Sequence, residues 1–342
     1  MSDMLQQSQG AGSGAQPAGG ADQLPRSAGA YAVGVDVGGT KINAGVVDAE
    51  GNVLHRISLD TMAGRADTGE RVVAAVDRLM SETLGADAPW RGIGVGTAGQ
   101  VDRVSGSIRS ASDLIPGYAG TPLRELLQDR YRLPVRVDND VNVLALTEQR
   151  LGAARGVRSF VCLALGTGVG GAVVADGALL HGAWGAAGEL GHLCVDFRGA
   201  PCVCGGRGCL ELFASGTGIR DRMNERLAAS GGAGRCADAR EVFERWRGGD
   251  PAAAAIIGDA AAALGSAAAS LIHAFNPELI VIGGGLAEAG EPLLAGIRAE
   301  TAKRTMPALM AGVRIEPAYR GNWSGMIGAA LQVWQPAGRD AE

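Results

Sequence analysis

The sequence carries no excess of basic residues: 31 Lys plus Arg stand against 36 Asp plus Glu, a formal charge of -5. A polyanionic nucleic acid would meet no overall attractive field, so small-molecule chemistry is the better expectation. A continuous apolar run of signal-peptide length is also missing near the start. Residues 1–30 are dominated by Gly, Ala, Gln and Ser, with no Lys or Arg before Arg26, a composition that cannot bury a core and reads as a disordered tail. Lacking a secretory signal, the chain is expected in the cytoplasm, where six cysteines suit metal binding better than disulfides. A membrane span is not expected either. The most apolar later stretch, Ala252 to Phe275, is rich in Ala and Gly, carries Asp259 and follows Asp250-Pro251, a cap with proline at the first helical position, so it reads as a buried helix.

What the chain has in quantity is glycine: 55 residues in 342, well above the roughly 7% average. Their placement organises the chain. Tyr31 to Val37 reads as a buried strand running into Gly38-Gly39-Thr40-Lys41, and Ile42 to Val47 as a returning strand ending at Asp48-Ala49-Glu50-Gly51. The pattern recurs where Ser159 to Leu165 leads into Gly166-Thr167-Gly168-Val169-Gly170-Gly171, with Ala172 to Ala175 returning to Asp176-Gly177. Two such units suggest two similar lobes. Arg71 to Leu84 has helical spacing, Ile93 to Gly96 and Val135 to Val137 are short strand candidates, Thr121-Pro122 marks a helix start, and Leu279 to Ile282 opens onto Gly283-Gly284-Gly285. Alternating helices and strands predict an α/β fold.

Asp36-Val37-Gly38-Gly39-Thr40-Lys41 has neither the Walker A spacing nor the dinucleotide fingerprint. It is a tight hairpin or a phosphate cradle, in which glycine N–H groups and the Thr40 hydroxyl close on phosphate oxygens and Asp36 holds Mg²⁺ through water. A second glycine turn at Gly166, Thr167 and Gly168 favours a nucleotide held between two hairpins. Gly283, Gly284 and Gly285 add backbone that could approach an adenine or a phosphate, or serve as a strand-to-helix turn. Asp138-Asn139-Asp140 falls where a strand meets the helix pattern Val141 to Arg150. There an acidic residue is a helix cap or, if it faces a cleft, the base that takes a proton from an acceptor hydroxyl, the role assigned to Asp140. His192 with Cys202, Cys204 and Cys209 offers the closed imidazole-and-thiolate set of structural zinc, the alternative being free thiols or one disulfide. Glu189 and Glu211 flank that loop and are either solvated carboxylates or acceptors for sugar hydroxyls. Cys162 is expected as core filling, and His55, His181 and His273 are given no role.

Taken together, these motifs resemble those of the ROK family of sugar kinases and related repressors, in the actin-like and hexokinase-like ATPase superfamily. The resemblance runs from about residue 31 to 330 and includes Gly188-Glu189-Leu190-Gly191-His192 and Cys202-x-Cys204-Gly205-x-x-Gly208-Cys209-Leu210-Glu211. It implies a two-lobed actin-like (ribonuclease H-like) α/β fold with a cleft between the lobes and a zinc-binding loop. Residues 31–142 would form the N-terminal lobe, rejoined by a C-terminal helix at about 326–342, and residues 143–325 the C-terminal lobe. ATP, with Mg²⁺, and the sugar would share the cleft. The resemblance also implies that Asn139, Asp140, Glu189, His192 and Glu211 touch sugar hydroxyls and that His192 serves zinc as well. Departures fall in the pocket loops: Asp113 stands where relatives place Asn, Thr97-Ala98-Gly99-Gln100 replaces a Pro-Gly pair, and Asn322-Trp323-Ser324-Gly325 replaces an acidic segment. The expected activity is phosphoryl transfer from ATP to the C6 hydroxyl of glucose, with N-acetylmannosamine or N-acetylglucosamine as the alternative sugar. A repressor role is disfavoured, since about 30 glycine-rich residues ahead of Tyr31 cannot form a helix-turn-helix domain. Homodimers or homotetramers are usual among such relatives.

Overall fold

From Tyr31 to Val37 the chain is extended and, apart from Asp36, buried, the pattern of a strand covered on both faces. This is β1 in a computed structural model that describes residues 30–61, 67–83, 88–111, 115–231, 234–319 and 321–335. The expected tail and Asp113 lie outside the described residues. β2 (Lys41–Asp48) and β3 (Val53–Asp60) follow as an antiparallel meander, and helix α1 (Thr68–Thr83) buries Val72, Val76 and Leu79 against the sheet. β4 (Trp90–Thr97) pairs in parallel with β1. A small ribbon of β5 (Gln100–Val101) and β6 (Ile108–Ser110) stands off its end. Helix α2 (Leu123–Tyr131) then leads to β7 (Val135–Asn139), parallel to β4. The strand order of the first sheet is β3-β2-β1-β4-β7.

Helix α3 (Asp140–Leu151) begins directly at the end of β7. Beyond it, β8 (Phe160–Leu165), β9 (Val169–Ala175) and β10 (Ala178–Leu179) repeat the meander, and β11 (Leu279–Gly283) and β12 (Arg314–Pro317) repeat the parallel pair. The second sheet has the order β10-β9-β8-β11-β12, the same plan as the first. Helices α4 (Glu211–Ala214), α5 (Gly216–Ala229), α6 (Ala239–Arg247), α7 (Pro251–Phe275), α8 (Glu291–Ala302) and α9 (Pro307–Met310) belong to this half, and α5 to α8 supply much of its core. α7 is long and apolar enough to cross a membrane, but two-thirds of its most apolar window is buried within the fold. Asp250 caps it by accepting hydrogen bonds from Ala252 and Ala253 N–H groups, ahead of Pro251.

Helix α10 (Ser324–Leu331) returns to the first sheet. It packs so closely that a Cβ at Gly94 would lie 1.7 Å from the Ala329 carbonyl oxygen, and one at Gly34 2.1 Å from that of Met326. Glycine is therefore required on both strands, and Met326, Ile327 and Ala330 fill the layer above β1 and β2. α10 is shorter than the segment expected at about 326–342: a 3-10 turn, Gln332–Trp334, closes it, and residues 336–342 lie outside the described residues.

Candidate active site

Asp140 occupies the first turn of α3, but it is not the cap. Asn139 has that role, its Oδ1 accepting from the N–H groups of Val141 (2.9 Å) and Asn142 (3.4 Å), while its amide donates to the Gly99 carbonyl at 3.1 Å. Asp140 is left at the junction of the two sheets with part of its surface open. Burial, reinforced by the charge of Glu189, pushes its carboxyl up to about 6, against opposing hydrogen bonds from backbone N–H groups. Asp36, at the end of β1, is pushed further, up to about 8, by burial and then by the nearby charge of Asp140. These two carboxylates therefore share one poorly solvated hollow. Gly325, at the start of α10, closes one side of it, since a Cβ there would lie 2.8 Å from Asp36 Oδ2.

Beside Asp140 a pocket is lined from the first sheet by Gly99, Gln100 and Asn139, and from the second by Gly170, Gly171, Gly185, Ala186, Ala187, Gly188 and Glu189. Gln100 donates to Glu189 Oε1 at 3.1 Å across it. Glu211 does not line this pocket; its Oε2 accepts from Val169 N–H at 2.9 Å under the second glycine turn. A Cβ at Gly168 would lie 2.5 Å from that oxygen.

The first hairpin is closed by Gly38 N–H on the Lys41 carbonyl at 2.9 Å, with Thr40 and Lys41 exposed. In the second turn Gly166 N–H bonds the Gly168 carbonyl at 2.9 Å, and the start of α5 docks on it through Gly216 N–H to the Gly166 carbonyl at 2.8 Å. Gly284, at φ 81°, presses on the Leu165 backbone just before that turn. The third glycine run is thereby brought to the second.

His192, Cys202, Cys204 and Cys209 place one donor atom each within 4.8 Å of one another. His192 Nδ1 is 3.7 Å from Cys202 Sγ, and Cys204 Sγ is 3.6 Å from Cys209 Sγ. Burial and the two neighbouring thiols push Cys209 up to about 12, whereas hydrogen bonds from the Gly206 N–H and the other thiols lower Cys204. Thiols so crowded ionise together only around a cation, and the donor set fits tetrahedral zinc. Cys162 is buried in β8, as expected of a core residue; Cys194 faces Cys209 across a backbone bridge without being one of the four donors, and Cys236 lies outside the cluster.

The model of the ROK family matches residues 32–335. This chain belongs to the ROK family. Among its ROK relatives, a glucokinase of Thermotoga maritima is 36% identical over 311 residues, covering 87% of this chain and 95% of that one. A ROK glucokinase of Streptomyces griseus, solved in complex with glucose and AMPPNP, superposes with a TM-score of 0.76 at 31% identity, covering 88% and 98% of the two chains. A ROK hexokinase of Thermus thermophilus does so with a TM-score of 0.72 at 35% identity, covering 88% and 97%.

Of the residues expected from the sequence, Gly99, Asn139 and Glu189 line the pocket of this ROK chain, Asp140 lies beside it, and His192, Cys202, Cys204 and Cys209 come together. Gly170, Gly171 and the segment 185–188 line the pocket without having been singled out for it. Asp138 and His181, likewise unassigned, form a close pair: His181 Nε2 lies 2.8 Å from Asp138 Oδ2. Burial would raise the Asp138 carboxyl, but hydrogen bonds from His181, Asn142 and the Asn139 N–H hold it below its usual value. A partner 43 positions away leaves no local signal, so a lone histidine could not have been matched to it.

Proposed function

We propose that this ROK chain transfers the γ-phosphoryl group of ATP to the C6 hydroxyl of glucose. The observation that carries the reading is Asp140: a poorly solvated carboxylate at the start of α3, beside a pocket walled by both sheets, with its ionisation poised near neutrality. The glucokinase relatives and the glucose and AMPPNP complex support both substrates. In this reading the sugar lies against Gly99, Asn139, Glu189, His192 and Glu211. Asp140 takes the hydroxyl proton while the C6 oxygen bonds to the γ-phosphorus and the bond to the bridging oxygen breaks, releasing ADP. A carboxyl at about 6 is mostly ionised at pH 7 and able to accept that proton.

ATP would lie between Gly38, Gly39, Thr40 and Lys41 on one side and Gly166, Thr167, Gly168 and Gly283 to Gly285 on the other. Asp36 fits Mg²⁺, because a carboxyl displaced to about 8 by burial and a neighbouring carboxylate gains most from a cation. When bound, Mg²⁺ supplies neutralisation of phosphate charge. His192, Cys202, Cys204 and Cys209 would hold zinc, which would fix the position of the imidazole beside the sugar. We assign residues 31–142 together with α10 to one lobe and residues 143–323 to the other.

The test is a coupled assay across glucose, mannose, N-acetylglucosamine and N-acetylmannosamine, reading ADP release with ATP and sugar-phosphate formation with polyphosphate. Glucose with ATP should give the highest kcat/KM. No turnover with any of these sugars would overturn the kinase reading, and preference for an N-acetylhexosamine would overturn the choice of sugar.

A further inference from the structure

His181 follows β10 in the second lobe, on a segment closed by Ala187 N–H donating to the His181 carbonyl at 3.0 Å. The residues after it, from Gly185 to Glu189, form a wall of the sugar pocket. Its side chain reaches the other way, to the first lobe, where Nε2 meets Asp138 Oδ2 at 2.8 Å with the two side chains only 13% and 15% exposed. Asp138 in turn accepts from the Asn139 N–H at 2.8 Å and from Asn142 Nδ2 at 2.7 Å. Asn139 and Asn142 bracket Asp140 on either side. The backbone carrying the proposed base is thus held by the Asn139 cap and by Asp138, and Asp138 is oriented from across the cleft.

On the kinase reading above, we infer that His181 is a positioning residue for phosphoryl transfer. It acts through Asp138, locking the strand-to-helix junction that carries Asp140 to the segment that walls the sugar. The argument is geometric. A carboxylate with three donors is fixed in rotation, whereas one that loses the His181 donor keeps a buried lone pair unsatisfied and is free to turn. A turn there shifts the Asn139 and Asn142 contacts, and small displacements of a base from the line of attack are costly in rate, on the order of a hundredfold per ångström. Substrate touches neither His181 nor Asp138 in this scheme, so the effect belongs to turnover and not to affinity.

The test uses the full chain with bound metal. His181→Leu removes the donor, His181→Gln supplies an amide N–H of similar reach, and Asp138→Asn is made alone and with each. H181L is expected to lower kcat about 10- to 100-fold, with KM for glucose and ATP within about threefold and zinc content unchanged. H181Q should recover most of the loss, and the double variant H181L with D138N should be little worse than H181L alone, because the two residues act in series. Unaltered kcat in H181L, strictly additive losses, or a raised glucose KM with kcat intact would overturn the inference. If H181L fails to fold, H181Q against H181N, whose amide falls short of Asp138, decides the matter in the same way. A wild-type chain silent toward every hexose would overturn the kinase reading together with this one, a result distinct from an active wild type indifferent to position 181.

Discussion

The placement of Asp140 makes a quantitative prediction about acid sensitivity. With the carboxyl at about 6, the ionised share is about ten-elevenths at pH 7 and one-eleventh at pH 5, so kcat/KM for glucose should fall about tenfold between them. At the ordinary value of 3.8 the fall over the same interval would be under about a tenth. The sign follows from the role: the base works deprotonated, so rate is lost as pH drops through the folded-state value. The assay is ADP release at saturating donor and Mg²⁺, from pH 5 to 8, for the wild type and Asp140→Asn. The amide keeps hydrogen-bonding capacity but cannot take the proton, so D140N should lose 10²- to 10⁴-fold in kcat, about 3–5 kcal/mol of barrier, while still binding glucose. Its residual rate should show no acid limb near 6. A flat wild-type profile down to pH 5, a D140N rate within tenfold of wild type, or the same acid limb persisting in D140N would each refute the reasoning.

Further outcomes follow from other parts of the site. Asp36 has a folded value near 8 against 3.8 unfolded, so the folded state binds more protons between those limits and this group's contribution to stability declines as pH rises through that window. Asp36→Asn should therefore flatten the pH dependence of denaturant unfolding without Mg²⁺, raise stability at pH 8 by on the order of 1–2 kcal/mol after screening in the half-open cleft, and abolish turnover. Cys204→Ala should release zinc, measurable by elemental analysis, and lower Tm by about 3–5 °C. Gly94→Ala would set a methyl 1.7 Å from the Ala329 carbonyl oxygen, which cannot yield without moving α10; thermal melts should show a loss of at least about 2 kcal/mol.

The sequence showed its strands best where burial on both faces left continuous apolar runs, as at Tyr31–Val37 and Phe160–Leu165. Glycines marked both hairpins, although Val169, Gly170 and Gly171 turned out to be strand and not turn, because β9 pairs with β8 right up to Leu165. The four metal-type ligands were legible because three of them lie within one short loop. The assignment of capping was less so: Asn and Asp are equally suited to the position, and only the torsion at Asn139, with ψ 149°, gives it the cap and frees Asp140. β3, the ribbon of β5 and β6, and the helices α5, α6 and α8 were not anticipated; β3 and the ribbon pair with strands close in sequence, and the three helices bury side chains in the core of the second half. The His181–Asp138 pair and the Gln100–Glu189 bond could not be read from local sequence either, since their partners lie 43 and 89 positions apart.

The return of α10 to the first sheet bears on how the protein is made. Gly34 and Gly94 leave a trough in β1 and β4 that Met326, Ala329 and Ala330 fill, so on the ribosome these strands emerge with an apolar face bare. Apart from the strip that Val143 and Leu146 of α3 cover, that face stays bare through synthesis of the whole second sheet and its helices, an interval in which it is open to chaperones or to another nascent chain. The second half, with its core contributed by its own helices, has no such wait. Order of translation and order of consolidation should thus run in opposite directions, the part made first being the part finished last.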